Sequence, residues 1–282
     1  MDSRLISPCL NHHGFYLALS LKEISYHSFM LGLIHLRFYD ELNDFLPPEQ
    51  RGTDISHELT LARSVKDLVE SIGIPHTEID LIIVNSKSVD LNYPVQGGDR
   101  ISLYPASKQI ITELQTLSPL IHCQPEPLAE YRFILDVHLG RLASYLRMLG
   151  FDTLYRNDYD DLTLANISAN QHRMLLTCDR QLLMRKQITH GYFIRTRQPK
   201  QQLLEVLSRF DLYDQLKPFS RCMHCNGKTR AVDKQVVKDQ LQARTRKYYS
   251  SFFQCEECKK IYWEGSHYLK MQAMIDSIKQ TA

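Results

Sequence analysis

Four of the chain's seven cysteines fall in two tight pairs, Cys222-Met-His-Cys225 and Cys255-Glu-Glu-Cys258, with 29 residues between them. A C-x-x-C unit brings two sulfurs within about one turn of each other, and two such units complete a tetrahedron around Zn²⁺. Four thiolates leave no open coordination position, so the metal at Cys222, Cys225, Cys255 and Cys258 is expected to be structural. A redox C-x-x-C belongs at a helix start within a thioredoxin-like unit, and two matched pairs do not fit that pattern. His224 sits inside the first knuckle and is not needed as a ligand. The odd total argues against a closed disulfide framework, and Cys9, Cys123 and Cys178 read as small unpaired thiols. A zinc ribbon is therefore expected over residues 218–271, followed by a C-terminal tail over 272–282.

Upstream of the ribbon, from Tyr131, strand-like and helix-like segments alternate. RFIL (132–135), DTLY (152–155), RMLLT (173–177) and YFIR (192–195) are largely apolar and short, and 7–12-residue helical patterns separate them. That alternation predicts a parallel sheet with right-handed crossovers over 131–217. Residues 106–130 contain Pro119, Pro125 and Pro127 and read as a linker, with a short helix around 108–117. Before it, 31–38 (LGLIHLRF), 80–85 (DLIIVN) and 100–104 (RISLY) read as strands. Residues 64–73 read as a helix with Ser64 as N-cap and Gly73 as its stop. Strands, one helix, then strands in about 75 residues suit a β-grasp, ubiquitin-like domain over 30–105. Residues 1–29 have no clear pattern and are expected to be a poorly ordered leader, with Met30 as a second candidate start. No window approaches the roughly 20 apolar residues of a membrane span, and no secretory signal is evident. The chain is expected to be cytoplasmic, with no membrane partner.

In a parallel sheet, residues just after the strands emerge together at the carboxyl edge, where ligands bind. Asp136 follows FIL and Asp179 follows MLLTC; Asp160 and Asp161 lie between them, just before a helix. Carboxylates converging there can hold Mg²⁺ or Mn²⁺, which suits phosphodiester hydrolysis. Each is also a natural helix cap after a βα turn, and for Asp160 and Asp161 the cap and macrodipole reading is the stronger. Thr177 either orients a carboxylate or ends its strand. His138 reads as a helix-start residue.

The formal net charge of +2 conceals a split. Residues 1–129 carry 9 Lys/Arg against 16 Asp/Glu, and residues 130–282 carry 25 against 16. A basic half is a footprint of polyanion binding. Arg141, Arg147, Arg180, Arg185 and Lys186 follow the acids closely. The ribbon insert 228–249 adds Lys228, Arg230, Lys234, Lys238, Arg244, Arg246 and Lys247, beside Tyr248 and Tyr249. Cations next to aromatics suit phosphate contact with base stacking, although a solvated face explains them equally. Arg141, Arg147, Arg180, Lys186, Arg244, Arg246 and Lys247 are the expected RNA contacts.

The segments RFILDVHLGRLASYLRMLGFDTLY, NDYDDLTL, MLLTCDRQLL, CMHC, CEEC and YWEGSHY, in that order over about 130–271, resemble the RNase domain family named after the C-terminal region of the Mut-seven exonucleases. The resemblance implies a PIN-like α/β nuclease fused to a zinc ribbon. It implies Asp136 and Asp179 as metal ligands, with a third from the Asp160–Asp161 pair, of which Asp161 is favoured. It also draws attention to Arg141, Arg180 and Gly265-Ser266-His267. Nucleases of that kind often use a fourth acid near the next strand; here that strand is YFIRTR and carries none. Residues 31–105 resemble the ubiquitin-like domain often fused to it, itself similar to sulfur carriers. Carriers end in a free Gly-Gly, whereas Gly97-Gly98 is internal and reads as a turn. The expected function is a metal-dependent ribonuclease, with a ubiquitin-like domain available to dock a protein partner. Two alternatives stand beside it: a non-catalytic RNA-binding adaptor, and a nuclease whose acidic N-terminal domain covers the basic cleft.

Overall fold

A computed structural model describes residues 32–106 and 119–280. The leader expected over 1–29 and the short helix expected around 108–117 lie outside the described residues.

The N-terminal unit comprises β1 (Gly32–Phe38), β2 (Ile55–Leu59), helix α1 (Val65–Ile72), β3 (Leu81–Val84), β4 (Lys87–Val89) and β5 (Arg100–Tyr104). The sheet order is β2-β1-β5-β3-β4, with β1 and β5 parallel and the other pairs antiparallel. This is the expected β-grasp arrangement. Ser64 starts α1 with a capping box: its hydroxyl accepts from the Asp67 N–H and Asp67 accepts from the Ser64 N–H. Gly73 ends the helix at φ 98°, a left-handed conformation that glycine adopts without steric cost. Val65, Leu68 and Val69 lie on the core formed with Ile34, Leu36, Ile82, Ile101 and Leu103. Gly97 and Gly98 form the turn into β5, and the Gly98 N–H reaches the Leu33 carbonyl at 2.8 Å.

The second unit contains β6 (Phe133–Leu135), α2 (Gly140–Met148), β7 (Thr153–Tyr155), α3 (Asp161–Gln171), β8 (Met174–Thr177), α4 (Arg180–Leu183), β9 (Gly191–Phe193) and α5 (Pro199–Arg209). Its sheet is fully parallel, in the order β7-β6-β8-β9. Phe133, Leu135 and Leu176 face a core with α2 and α5, while Ile134 and Leu175 face α3 and α4. Both faces are therefore covered, which is why the strands read as continuous apolar runs. The chain leaves β6 toward β7 and returns to β8 on the other side. The topological switch point lies between β6 and β8.

The third unit is an antiparallel ribbon of β10 (Thr229–Val232), β11 (Phe252–Cys255) and β12 (Ile261–Trp263). Two short helices, α6 (Lys234–Val237) and α7 (Ala243–Tyr248), fill the insert, and helix α8 (Ser266–Lys279) follows. The tail expected over 272–282 is corrected here. Ile275 and Ile278 of α8 are 0% and 1% exposed and belong to the core of the second unit. The ribbon is thus strapped back onto the sheet domain.

The first two units pack together through unlike charges. Glu78 accepts from the Phe193 N–H of edge strand β9 at 2.7 Å and pairs with Arg195 at 2.6 Å. Asp44 faces Arg195 at 3.3 Å, and Glu41 pairs with Arg209 at 2.8 Å. Residues 119–130, expected as linker, lie along this junction. His122 pairs with Asp80, Gln124 donates to the Thr77 and Ile79 carbonyls, and the Glu126 carbonyl meets His190. No helix among the described residues is long and apolar enough to cross a membrane.

Candidate metal and nucleic-acid sites

The sulfurs of Cys222, Cys225, Cys255 and Cys258 all lie within 4.8 Å of one another. Cys225 and Cys255 are 3.4 Å apart and Cys222 and Cys258 3.7 Å, with no disulfide among them. Zinc–sulfur bonds of about 2.3 Å in a tetrahedron put sulfurs roughly 3.8 Å apart, so the donor set fits a structural Zn²⁺. Each knuckle turns in the same way: the residue after its second cysteine, Asn226 or Lys259, has φ 72° or 61°. The turn aims backbone N–H groups of His224 and Cys225 at the Cys222 sulfur, and those of Glu257 and Cys258 at Cys255. Burial would raise the Cys222 thiol, but these N–H groups and the Tyr262 hydroxyl, 3.0 Å away, hold it down at about 6. Cys258 is instead pushed up to about 12, by burial first and then by its neighbouring sulfurs. Four crowded thiols cannot all ionise alone; a divalent cation removes that conflict.

Arg147 belongs to this site and not to a nucleic-acid surface. It is only 5% exposed, and its guanidinium donates to the Thr153, Met223 and His224 carbonyls. The expectation that it contacts RNA is therefore corrected: it fastens α2 to the first knuckle. Below it, Asp152 accepts from Arg173 and Asn226, each at 2.8 Å, and faces Arg221 at 3.3 Å.

The acidic edge sits at the switch point. Asp136 and Asp179 follow the adjacent parallel strands β6 and β8. Thr177 connects them: its hydroxyl donates to Asp136 Oδ2 at 2.8 Å and accepts from the Asp179 N–H at 2.9 Å. Asp179 also caps α4 by accepting from the Gln181 N–H. Asp160 is the N-cap of α3, accepting from the Thr163 N–H at 2.7 Å, and Asp161 faces Arg185 at 3.4 Å. Among the described residues the four cysteines are the only set of three or more such ligand atoms gathered this closely. Asp136, Asp161 and Asp179 thus follow three neighbouring strands at one sheet edge, with no closed three-ligand cage among the described residues.

One carboxylate at this edge escaped the sequence reading. Glu205 on α5 accepts from the Tyr192 hydroxyl and from the Arg195 and Thr196 N–H groups beyond β9. The Cys178 thiol, next to Asp179, is pushed up to about 11 by burial and then by the charges of Asp136 and Glu205. An acid therefore does accompany the fourth strand, supplied by the following helix. Glu205 is the one acid in α5, a signal visible in the sequence but without a direction.

The expected RNA contacts separate. Arg141, Lys186, Arg244, Arg246 and Lys247 are exposed. Arg180 turns to the N-terminal unit, donating to the Phe45 carbonyl at 3.1 Å and lying 4.8 Å over the Phe45 ring. Of the expected RNA contacts, Arg180 is thus the half-buried one that is engaged at the domain junction.

A family model described as the Mut7-C RNAse domain matches residues 131–275. A second, described as Mut7-C ubiquitin, matches residues 32–111. No curated protein and no solved structure matches the chain.

Proposed function

This chain belongs to the Mut7-C RNAse domain family, and on that premise we propose that it is a metal-dependent ribonuclease. The observation that carries this reading is the Asp136–Thr177–Asp179 arrangement at the switch point of a parallel sheet. Ligands of such sheets bind in that crevice, and paired carboxylates there suit a hard divalent cation. Asp136 and Asp179 would hold Mg²⁺ or Mn²⁺, with Asp161 and Glu205 as the further acids at the same edge. When bound, such an ion lowers the pKa of its water and offsets charge on the phosphate. Thr177 holds Asp136 in place through its hydroxyl, and the exposed Arg141 and Lys186 would meet the RNA backbone. The ribbon, with exposed Arg244, Arg246 and Lys247, would hold the strand while its zinc remains structural.

The test is cleavage of labelled RNA by the purified protein in Mg²⁺ or Mn²⁺. Asp136→Asn with Asp179→Asn is expected to abolish turnover, a larger effect than the roughly 10–100-fold that loss of an outer partner costs. Cleavage that survives the double substitution would remove the site assignment. The second reading, an RNA-binding adaptor, draws on the capping of α3 by Asp160 and the pairing of Asp161 with Arg185. RNA binding without turnover in either metal would select it.

A further inference from the structure

The ribbon sheet has one covered face and one open face. Register places Val232, Phe252 and Trp263 in line across one face. There Phe252 packs with Val237 and Leu241 of the insert. On the other face Ala231, Phe253 and Tyr262 are in line. They border a cleft of 370 Å³ whose far wall is Phe219 and Tyr268, with Trp263 and Glu264 at its rim. Phe219 and Tyr268 lie 4.7 Å apart at 33°. The volume is within the roughly 300–1,000 Å³ range of small-molecule sites. Phe253 and Trp263 are 36% and 38% exposed, so the rings are open to solvent.

We propose that this aromatic cleft takes an unpaired nucleobase of a single RNA strand, a step that rests on the ribonuclease reading for its polymer. Three observations favour that occupant over an apolar peptide. Flat rings stack on any base. The surrounding module, residues 218–271, carries eleven Lys/Arg against five Asp/Glu, which complements a phosphate backbone. At the cleft itself Arg221 is committed to Asp152 and the Asn226 carbonyl, whereas no hydrogen bond or ion pair engages Glu264 among the described residues. The unengaged charge at the rim is thus an acceptor, suited to the N–H edge of a base and not to a phosphate. Tyr262 joins the cleft to the cysteine cluster through its hydrogen bond to Cys222, so the first knuckle holds the stacking wall in place.

Trp263 is the chain's single tryptophan and borders the cleft from the neighbouring face, so its fluorescence serves as a nearby reporter. The full zinc-loaded protein, without added Mg²⁺ or Mn²⁺, is titrated with a short oligoadenylate and with an abasic oligoribonucleotide of equal length. Saturable quenching by oligoadenylate and none by the abasic strand is expected. Phe253→Ala should weaken oligoadenylate binding roughly 5- to 150-fold, with zinc content and thermal midpoint unchanged, and Phe253→Tyr should restore it. Equal responses to the two strands, or unchanged affinity in Phe253→Ala, would overturn the proposal. Hydrolysis in Mg²⁺ without a tryptophan response sinks the base cleft alone. A tryptophan response without hydrolysis sinks the nuclease reading alone.

Discussion

Thr177 is the smallest group on which the acidic edge depends. It is fully buried, and its one hydroxyl satisfies Asp136 while receiving the Asp179 N–H. Thr177→Val keeps the shape and removes both hydrogen bonds. RNA cleavage should fall about 10–100-fold, with a stability loss of about 1–3 kcal/mol from the unsatisfied partners. Unchanged cleavage would leave Thr177 as a strand end only. Asp152 carries a different prediction. Burial would raise its carboxyl, but hydrogen bonds from Arg173 and Asn226 and the charges of Arg173 and Arg221 hold it below the usual carboxylate range. A depressed carboxyl contributes stability above its unfolded value, near 4, and loses it as pH falls through the lower folded value. The thermal midpoint should therefore drop from about pH 4 downward, and Asp152→Asn should flatten that drop while costing about 3–5 kcal/mol at neutral pH by leaving Arg173 buried and unpaired. Identical acid profiles for the two proteins would refute the assignment.

At the scale of elements, the cues that worked were local. Ser64, the apolar spacing of Val65, Leu68 and Val69, and Gly73 define α1 within one short window, and the structure adds only what it packs against. Strands β2 and β4 leave little trace in the sequence because edge strands bury little, so their segments ISHEL and KSV carry few apolar residues. Helix α8 was read as a tail for a related reason. Its helical spacing is present in Met271, Met274, Ile275 and Ile278, but the core they join is built from residues 133–212, remote in sequence. Ile278→Ala should cost about 2–5 kcal/mol, seen as a lower denaturant midpoint at unchanged slope. A change within a few tenths would mean that α8 is not part of the core.

At the scale of the molecule, the opposite charges of the two halves meet at a junction. Glu78 is 1% exposed; burial pushes its carboxyl up, against the pull of Arg195. A double-mutant cycle with Glu78→Ala and Arg195→Ala should show a coupling of about 0.5–3 kcal/mol; strictly additive effects would deny the pair a role. The acidic domain lies on edge strand β9 and takes up Arg180, Arg195 and Arg209. Its removal would bare an unpaired strand edge and Phe193, so a loss of stability is expected along with any gain in RNA access. By itself the sequence determined the four-cysteine cluster, the alternation of strands and helices in the second unit, and the edge on which Asp136 and Asp179 emerge. Those follow from spacing, periodicity and the geometry of parallel sheets, which act over a few residues. Only the tertiary structure decided that Arg147 serves the knuckle, that Arg180 serves the domain junction, and that Glu205 reaches the acidic edge. A charged side chain looks the same in sequence whether it faces solvent, a carbonyl or a carboxylate, and only the packed fold supplies its partner.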